Sequence, residues 1–137
     1  MLELEGINYW AVAAVWLVNV TVGAFWYSPA GFGKKWSKLS GVNMMKLPQN
    51  EANNAILYVA ISAVFQALAL AIIFNSLDVT VAANGLVIGL VIWAGLVAAT
   101  TIGNNFYQRL GWKFWWLTSS YFLVVITINS VILSIWQ

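Results

Sequence analysis

The sequence predicts an all-α integral membrane protein, a four-helix bundle with up-and-down connections. Of its 137 residues, 62% are hydrophobic and only 7% are charged, against roughly a quarter charged in soluble domains. The few charges leave four long uncharged stretches, and each can hold the roughly 20 apolar residues that cross a bilayer as a helix. Four such helices use nearly the whole chain, so we expect residues 1–137 to form a single transmembrane domain.

The first predicted span covers residues 7–27 and ends before Ser28-Pro29, because proline lacks an amide hydrogen and disfavours helix at the preceding residue. Its leading segment carries Glu3 and Glu5 where a cleavable signal peptide needs positive charge. We therefore expect this span to remain in the mature protein. The other three spans are predicted at residues 54–75, 81–103 and 115–136.

The charges are sorted along the chain. All six basic residues fall in the first connection, from Lys34 to Lys46, and in the third, at Arg109 and Lys113. The N-terminus and the second connection hold only acids. Short basic loops stay in the cytoplasm, so the pattern predicts a cell-membrane protein with both termini outside and the first and third connections cytoplasmic. The net charge of +2 is too small and too dispersed to indicate nucleic-acid binding.

The stretch FWYSPAGFGKKW, residues 25–36, combines aromatic anchors, a proline turn and lysines. Aromatic rings of this kind favour the membrane interface, and a short helix after the turn would lie in that interface. The lysines have two open interpretations, because they either only fix orientation or also bind anionic lipid at the cytoplasmic face. The candidate interface and lipid-binding residues are Trp26, Tyr27, Lys34, Lys35, Trp36, Lys38, Arg109 and Lys113.

The same stretch carries a family resemblance. A span that ends in G-x-F-W-Y-S-P from Gly23 and continues as F-G-K-x-W to Trp36, with a looser N-x-F-Y-x-R around Asn105 and Arg109, resembles the small bacterial membrane proteins of the domain of unknown function 1761 family. The resemblance implies an integral membrane protein of four spans with no established activity. It brings no catalytic residue with it.

Polar side chains inside the predicted spans are few, and none is charged, so the usual marks of a proton relay or a voltage sensor are missing. Asn19, Gln66 and Asn129 are the costly ones, because an amide in hydrocarbon needs a hydrogen-bond partner. Two interpretations are open. The amides either join helices through hydrogen bonds or line a path for a small neutral solute.

Small residues at three- or four-residue spacing predict close helix packing. They are Ala60, Ala63 and Ala67 in the second span and Gly85, Gly89, Gly95 and Ala99 in the third. Whether these faces meet within one chain or between chains is open, but a thin four-span bundle favours a homo-oligomer. The aromatic and basic segments after the first and third spans also fit a possible two-hairpin repeat, which chance similarity explains equally well.

The chain has no histidine and no cysteine, the residues that most often supply acid-base, nucleophilic or metal chemistry. We therefore expect no enzymatic activity, no metal and no cofactor. The predicted function is a non-catalytic helix bundle that associates with itself, with a partner or with lipid. The alternative is a small transporter or channel for a neutral or hydrophobic solute.

Overall fold

A computed structural model describes residues 1–136, and every regular element in that part of the chain is helical. Four helices in this part of the chain are long and apolar enough to cross a membrane. The predicted all-α, four-helix membrane bundle is therefore confirmed. The helices are α1 (Tyr9–Trp26), α2 (Gly33–Ser40), α3 (Gln49–Ser76), α4 (Ala82–Tyr107) and α5 (Gly111–Ile135), with a 3₁₀ turn at Met44–Lys46.

Three of the long helices extend beyond the predicted apolar spans. The helix α3 begins at Gln49, directly after Pro48, whereas the sequence predicted a start at residue 54. Likewise, α4 continues to Tyr107 and α5 begins at Gly111. The reason is that hydropathy marks only the part of a helix that lies in hydrocarbon, while the polar residues after Pro48 continue the helix beyond it.

The helix α5 is the centre of the bundle. It packs against α1, α3 and α4, and α1 and α3 also pack against each other. The helix α4 makes its most extensive contact with α5. Accordingly, 44% of the apolar window of α5 is buried, against 17% of that of α4, so α4 depends mainly on a single neighbour.

Small residues bring α4 and α5 together. A Cβ atom built on Gly89 would lie 2.5 Å from Ser130 Oγ, and one built on Gly85 would lie 2.5 Å from Ser134 Oγ. Both glycines and both serines are buried. The predicted Gly85 and Gly89 face therefore lies inside this chain, where it allows two helices to approach closely.

The predicted small-residue face of α3 also lies inside the bundle. Ala63 and Ala67 are buried, and α1 is the main neighbour of α3. Ala60 is half-buried, and its carbonyl oxygen accepts a hydrogen bond of 3.0 Å from Trp16 Nε1 of α1. Indoles held in this way between helices add hydrogen bonds to the packing.

The last predicted packing residues lie elsewhere. Gly95 and Ala99 are on the outer face of α4, and among residues 1–136 no atom beyond the adjacent backbone of α4 itself lies within 4 Å of a Cβ built on Gly95 or on Gly103. Within residues 1–136, therefore, no other helix comes close to Gly95 or Gly103, in contrast to Gly85 and Gly89 of the same helix.

A π-helical turn, Trp93–Ala98, interrupts α4, and two indoles join it to α5. Trp115 Nε1 donates to the carbonyl oxygen of Ala98 at 3.2 Å. Trp93 Nε1 donates to the carbonyl oxygen of Ser119 at 2.8 Å. Because the wider turn changes the pattern of backbone hydrogen bonds, a donor from the neighbouring helix at this point helps to hold α4 in place.

The connections after α1 and after α4 differ strongly. Residues 27–48 contain α2 and the 3₁₀ turn, whereas residues 108–110 form a tight turn. In that turn Arg109 has a positive φ of 58°, and Asn105 Nδ2 donates to the carbonyl oxygen of Gly111 at 2.8 Å. The helices α1 and α3 pack as one hairpin, and α4 and α5 pack as another. The connections within the two hairpins are not structurally equivalent.

Candidate functional site

The turn after α1 is built on Ser28. Its carbonyl oxygen accepts hydrogen bonds of 3.0 Å from the amides of both Gly31 and Gly33, and its Oγ donates to the carbonyl oxygen of Phe25 at 2.7 Å. A Cβ built on Gly31 would overlap the carbonyl oxygen of Phe25, and one built on Gly33 would overlap that of Tyr27. The two glycines are needed because backbone approaches backbone here.

The turn directs α2 back against the bundle, where six aromatic rings form what we call the aromatic cluster. Trp36 of α2 lies 6.3 Å from Tyr27 and 6.1 Å from Phe114 between ring centroids. Tyr27 in turn lies 5.4 Å from Tyr121. These separations suit attractive edge and tilted contacts between rings. The aromatic cluster consists of Trp26, Tyr27, Phe32, Trp36, Phe114 and Tyr121.

An open groove with a volume of about 510 Å³ lies beside this turn, and we call it the α2 groove. Lys34 and Lys38 line it from one face of α2, one helical turn apart, with Ser37 between them in the sequence. Met44 and Met45 of the 3₁₀ turn also line it. The remaining lining residues are Tyr27, Pro29, Gly33, Gly41 and Asn43.

Among the predicted interface residues, only Tyr27, Lys34 and Lys38 line the α2 groove. Trp26 and Trp36 lie in the aromatic cluster, and they are half-buried rather than free at the surface. The other three, Lys35, Arg109 and Lys113, are exposed. Because α2 packs against α5, the first and third connections, and with them all six basic residues, lie at the same end of the bundle.

Sequence reasoning missed the far wall of the α2 groove. Gly41 adopts a positive φ of 77° and ends α2, and the Asn43 side chain then accepts a hydrogen bond of 3.1 Å from the amide of Met45. This capped turn brings Met44 and Met45 to the groove. The sequence signal was the Gly-Val-Asn segment, which is typical of a helix stop followed by a capped turn.

The three amides predicted to be costly lie together, and we call them the amide cluster. Asn129 Nδ2 donates to Asn19 Oδ1 at 2.6 Å, and Asn19 Nδ2 donates to Gln66 Oε1 at 2.9 Å. Asn19 and Asn129 are 3% and 0% exposed, whereas Gln66 is half-buried. The cluster therefore joins α1, α3 and α5 by a chain of hydrogen bonds.

Tyr121 connects the amide cluster to the aromatic cluster. Its hydroxyl donates to the carbonyl oxygen of Asn19 at 3.1 Å, while its ring contacts Trp26 and Tyr27. A Cβ built on Gly23 would lie 3.0 Å from the Tyr121 hydroxyl, so a glycine makes room for the phenol. The sequence did not single out Tyr121, because it is one aromatic residue among many in the fourth span.

These features define the class of the molecule: it is a multi-pass membrane protein built as a four-helix bundle. The chain belongs to the family described as "Protein of unknown function (DUF1761)", whose model matches residues 10–134. The family resemblance found in the sequence is thereby confirmed. None of the curated proteins or solved structures compared with the chain gives a match.

Proposed function

We propose that this protein is a non-catalytic membrane bundle that binds anionic phospholipid in the α2 groove. The observation that carries this proposal is the pair Lys34 and Lys38 lining a groove of about 510 Å³ at the end of an apolar span. Such a volume is within the range of about 300–1,000 Å³ that is usual for ligand sites. The end of a span is also the depth at which lipid headgroups lie.

The lining residues suit a phospholipid headgroup with the first part of its acyl chains. Lys34 and Lys38 are one helical turn apart, with roughly 6 Å between their Cβ atoms. A phosphate placed between their ammonium groups can contact both. The Ser37 hydroxyl lies on the same helix, and Met44 and Met45 supply a flexible apolar wall. Each lysine contributes about 1 kcal/mol next to an anionic surface. Two lysines then give a preference of roughly thirtyfold.

The first test is competitive lipid binding to the purified full-length protein. With equimolar phosphatidylglycerol and phosphatidylcholine in detergent, native mass spectrometry should show phosphatidylglycerol retained in large excess. Lys34→Gln/Lys38→Gln should lose most of this preference, because it removes both charges that line the groove.

Lys35→Gln/Lys46→Gln is the matched control, because it removes two charges from the same connection at positions that do not line the groove. It should keep most of the preference for phosphatidylglycerol. If the two double variants lost the preference equally, general attraction to the basic end would explain the binding, and the α2 groove would have no role of its own.

We also propose that both termini lie outside the cell and that the α2 groove is cytoplasmic, as the placement of the basic residues favours. The chain has no cysteine, so single cysteines report one position each. Val42 and Thr80 are exposed at opposite ends of the bundle. In intact cells a membrane-impermeant maleimide should label Thr80→Cys, and it should label Val42→Cys only after permeabilisation. The reverse pattern would refute the orientation.

We prefer a non-catalytic helix bundle to a transporter or channel because of the amide cluster. A solute path needs polar groups that face water, but Asn19 and Asn129 are buried and hydrogen-bonded.

The proposal includes self-association, since most of the apolar surface of α3 and α4 is left uncovered, with only 22% and 17% of their apolar windows buried. Faces of this kind pack against lipid or against another helix.

A further inference from the structure

The Gln66 amide is satisfied on one side only. Its Oε1 accepts from Asn19, but its Nε2 has no hydrogen-bond partner within residues 1–136 and is not enclosed by the bundle. Ser76, ten residues further along α3, is about 15 Å away at 1.5 Å per residue. Gln66 therefore lies near the middle of a hydrocarbon layer of about 30 Å, where water cannot supply an acceptor.

Three exposed residues near Gln66 on the outer face of α3 are small, although Val59, one heptad before Gln66, is also exposed there. Ser62 and Ala69, four residues before and three residues after Gln66, are both exposed, as is Ala55 one heptad before Ser62. Ser62 Oγ donates to the carbonyl oxygen of Val59 in its own helix, and within residues 1–136 no hydrogen bond joins it to the Gln66 amide. Small side chains at these positions leave room for another helix to approach the backbone of α3 closely.

We propose that this face of α3 is the interface between two copies of the chain, with Gln66 at its centre. The proposal rests on the self-association proposed above and names its surface. In the dimer, Gln66 Nε2 of each copy donates to Oε1 of the partner's Gln66. An amide oxygen has two lone pairs. The hydrogen bond from Asn19 uses only one lone pair of Gln66 Oε1, so the other can accept from the partner's Gln66.

A second copy is the occupant that fits the chemistry. Gln66 offers a free donor and a free acceptor site in one side chain, so the same side chain related by a two-fold axis satisfies both at once. Isologous contacts of this self-complementary kind are the commonest in homo-oligomers. A lipid chain would leave the amide without an acceptor, and an unrelated partner would need a matching donor and acceptor of its own.

The test is the dimerisation equilibrium of the full-length protein in liposomes, measured by energy transfer between copies labelled at Val42→Cys. Gln66→Leu should weaken association about tenfold, the effect of two interhelical hydrogen bonds. Because Gln66→Leu also disturbs the amide cluster, Ala69→Leu provides an independent variant that leaves all three amides in place. It should weaken association as well, by filling the space for the partner helix.

Ala99→Leu is the matched control, since Ala99 is also an exposed alanine, on the outer face of α4. It should leave the association unchanged. If the protein dimerised but only Ala99→Leu weakened the dimer, the α3 interface would be wrong while self-association stood. If it remained monomeric at every protein-to-lipid ratio, the interface and the proposed self-association would both fail.

Discussion

Replacing Asn19 by leucine should lower the free energy of unfolding more than replacing all three residues of the amide cluster. Asn19 bonds to both Asn129 and Gln66, so Asn19→Leu leaves two polar groups without a partner. Each such group costs about 1–3 kcal/mol, so we expect a loss of about 2–6 kcal/mol. When all three amides become leucine no polar group is left unpaired, and the loss should be smaller.

Unfolding of monomeric protein in mixed micelles with increasing sodium dodecyl sulfate measures this difference. The single variant Asn19→Leu and the triple variant Asn19→Leu/Gln66→Leu/Asn129→Leu form the comparison. If the triple variant were less stable than Asn19→Leu, the hydrogen bonds of the cluster would not be what joins α1, α3 and α5.

Gly89→Ala should loosen α4 from the bundle. The added Cβ would lie 2.5 Å from Ser130 Oγ and 2.8 Å from Ser130 Cβ. Rotation of the hydroxyl relieves only the first of these contacts, so the helices have to move apart. Overpacking of this kind typically costs about 1–3 kcal/mol. Because α4 relies mainly on α5, the loss should appear in the same unfolding experiment.

Gly103→Ala is the matched control in the same helix, because in the described part of the chain no neighbouring side chain or helix lies within 4 Å of the position of its Cβ. Alanine has the higher helix propensity, so stability should stay the same or rise by up to roughly 1 kcal/mol. Adding Ser130→Gly to Gly89→Ala removes both clashing atoms and should restore part of the loss. Equal effects of Gly89→Ala and Gly103→Ala would argue against the close approach of α4 and α5.

The apolar stretches and the small-residue spacing predicted the fold well. Four spans follow from composition because a bilayer core admits few structures other than apolar helices. Gly85 and Gly89 were identified as a packing face, but their partners, Ser130 and Ser134, were not. The spacing along one helix shows that a neighbour comes close, and it does not say which neighbour.

The candidate site was less accessible to sequence reasoning. Lys34, Lys38 and Tyr27 were identified from charge and aromatic placement, but the α2 groove exists only because the capped turn at Asn43 places Met44 and Met45 beside α2. Such a wall depends on the path of the chain after α2 ends. Lysine and methionine spacing within the sequence carries no information about it.

The amide cluster shows the same limit. The cost of an amide in hydrocarbon identified Asn19, Gln66 and Asn129 one by one, but not that Asn19 lies between the other two. That arrangement depends on the relative rotation and depth of three helices. Tyr121, which joins this cluster to the aromatic cluster, was missed for the same reason.

The central claim is that the α2 groove selects anionic phospholipid, and the most direct test is electron paramagnetic resonance of spin-labelled lipids in proteoliposomes. For the wild-type protein, the relative association constant of labelled phosphatidylglycerol over phosphatidylcholine should approach the roughly thirtyfold preference expected from two lysines. It should fall towards one for Lys34→Gln/Lys38→Gln and stay high for Lys35→Gln/Lys46→Gln. Equal association of the two labelled lipids with the wild-type protein would contradict the claim.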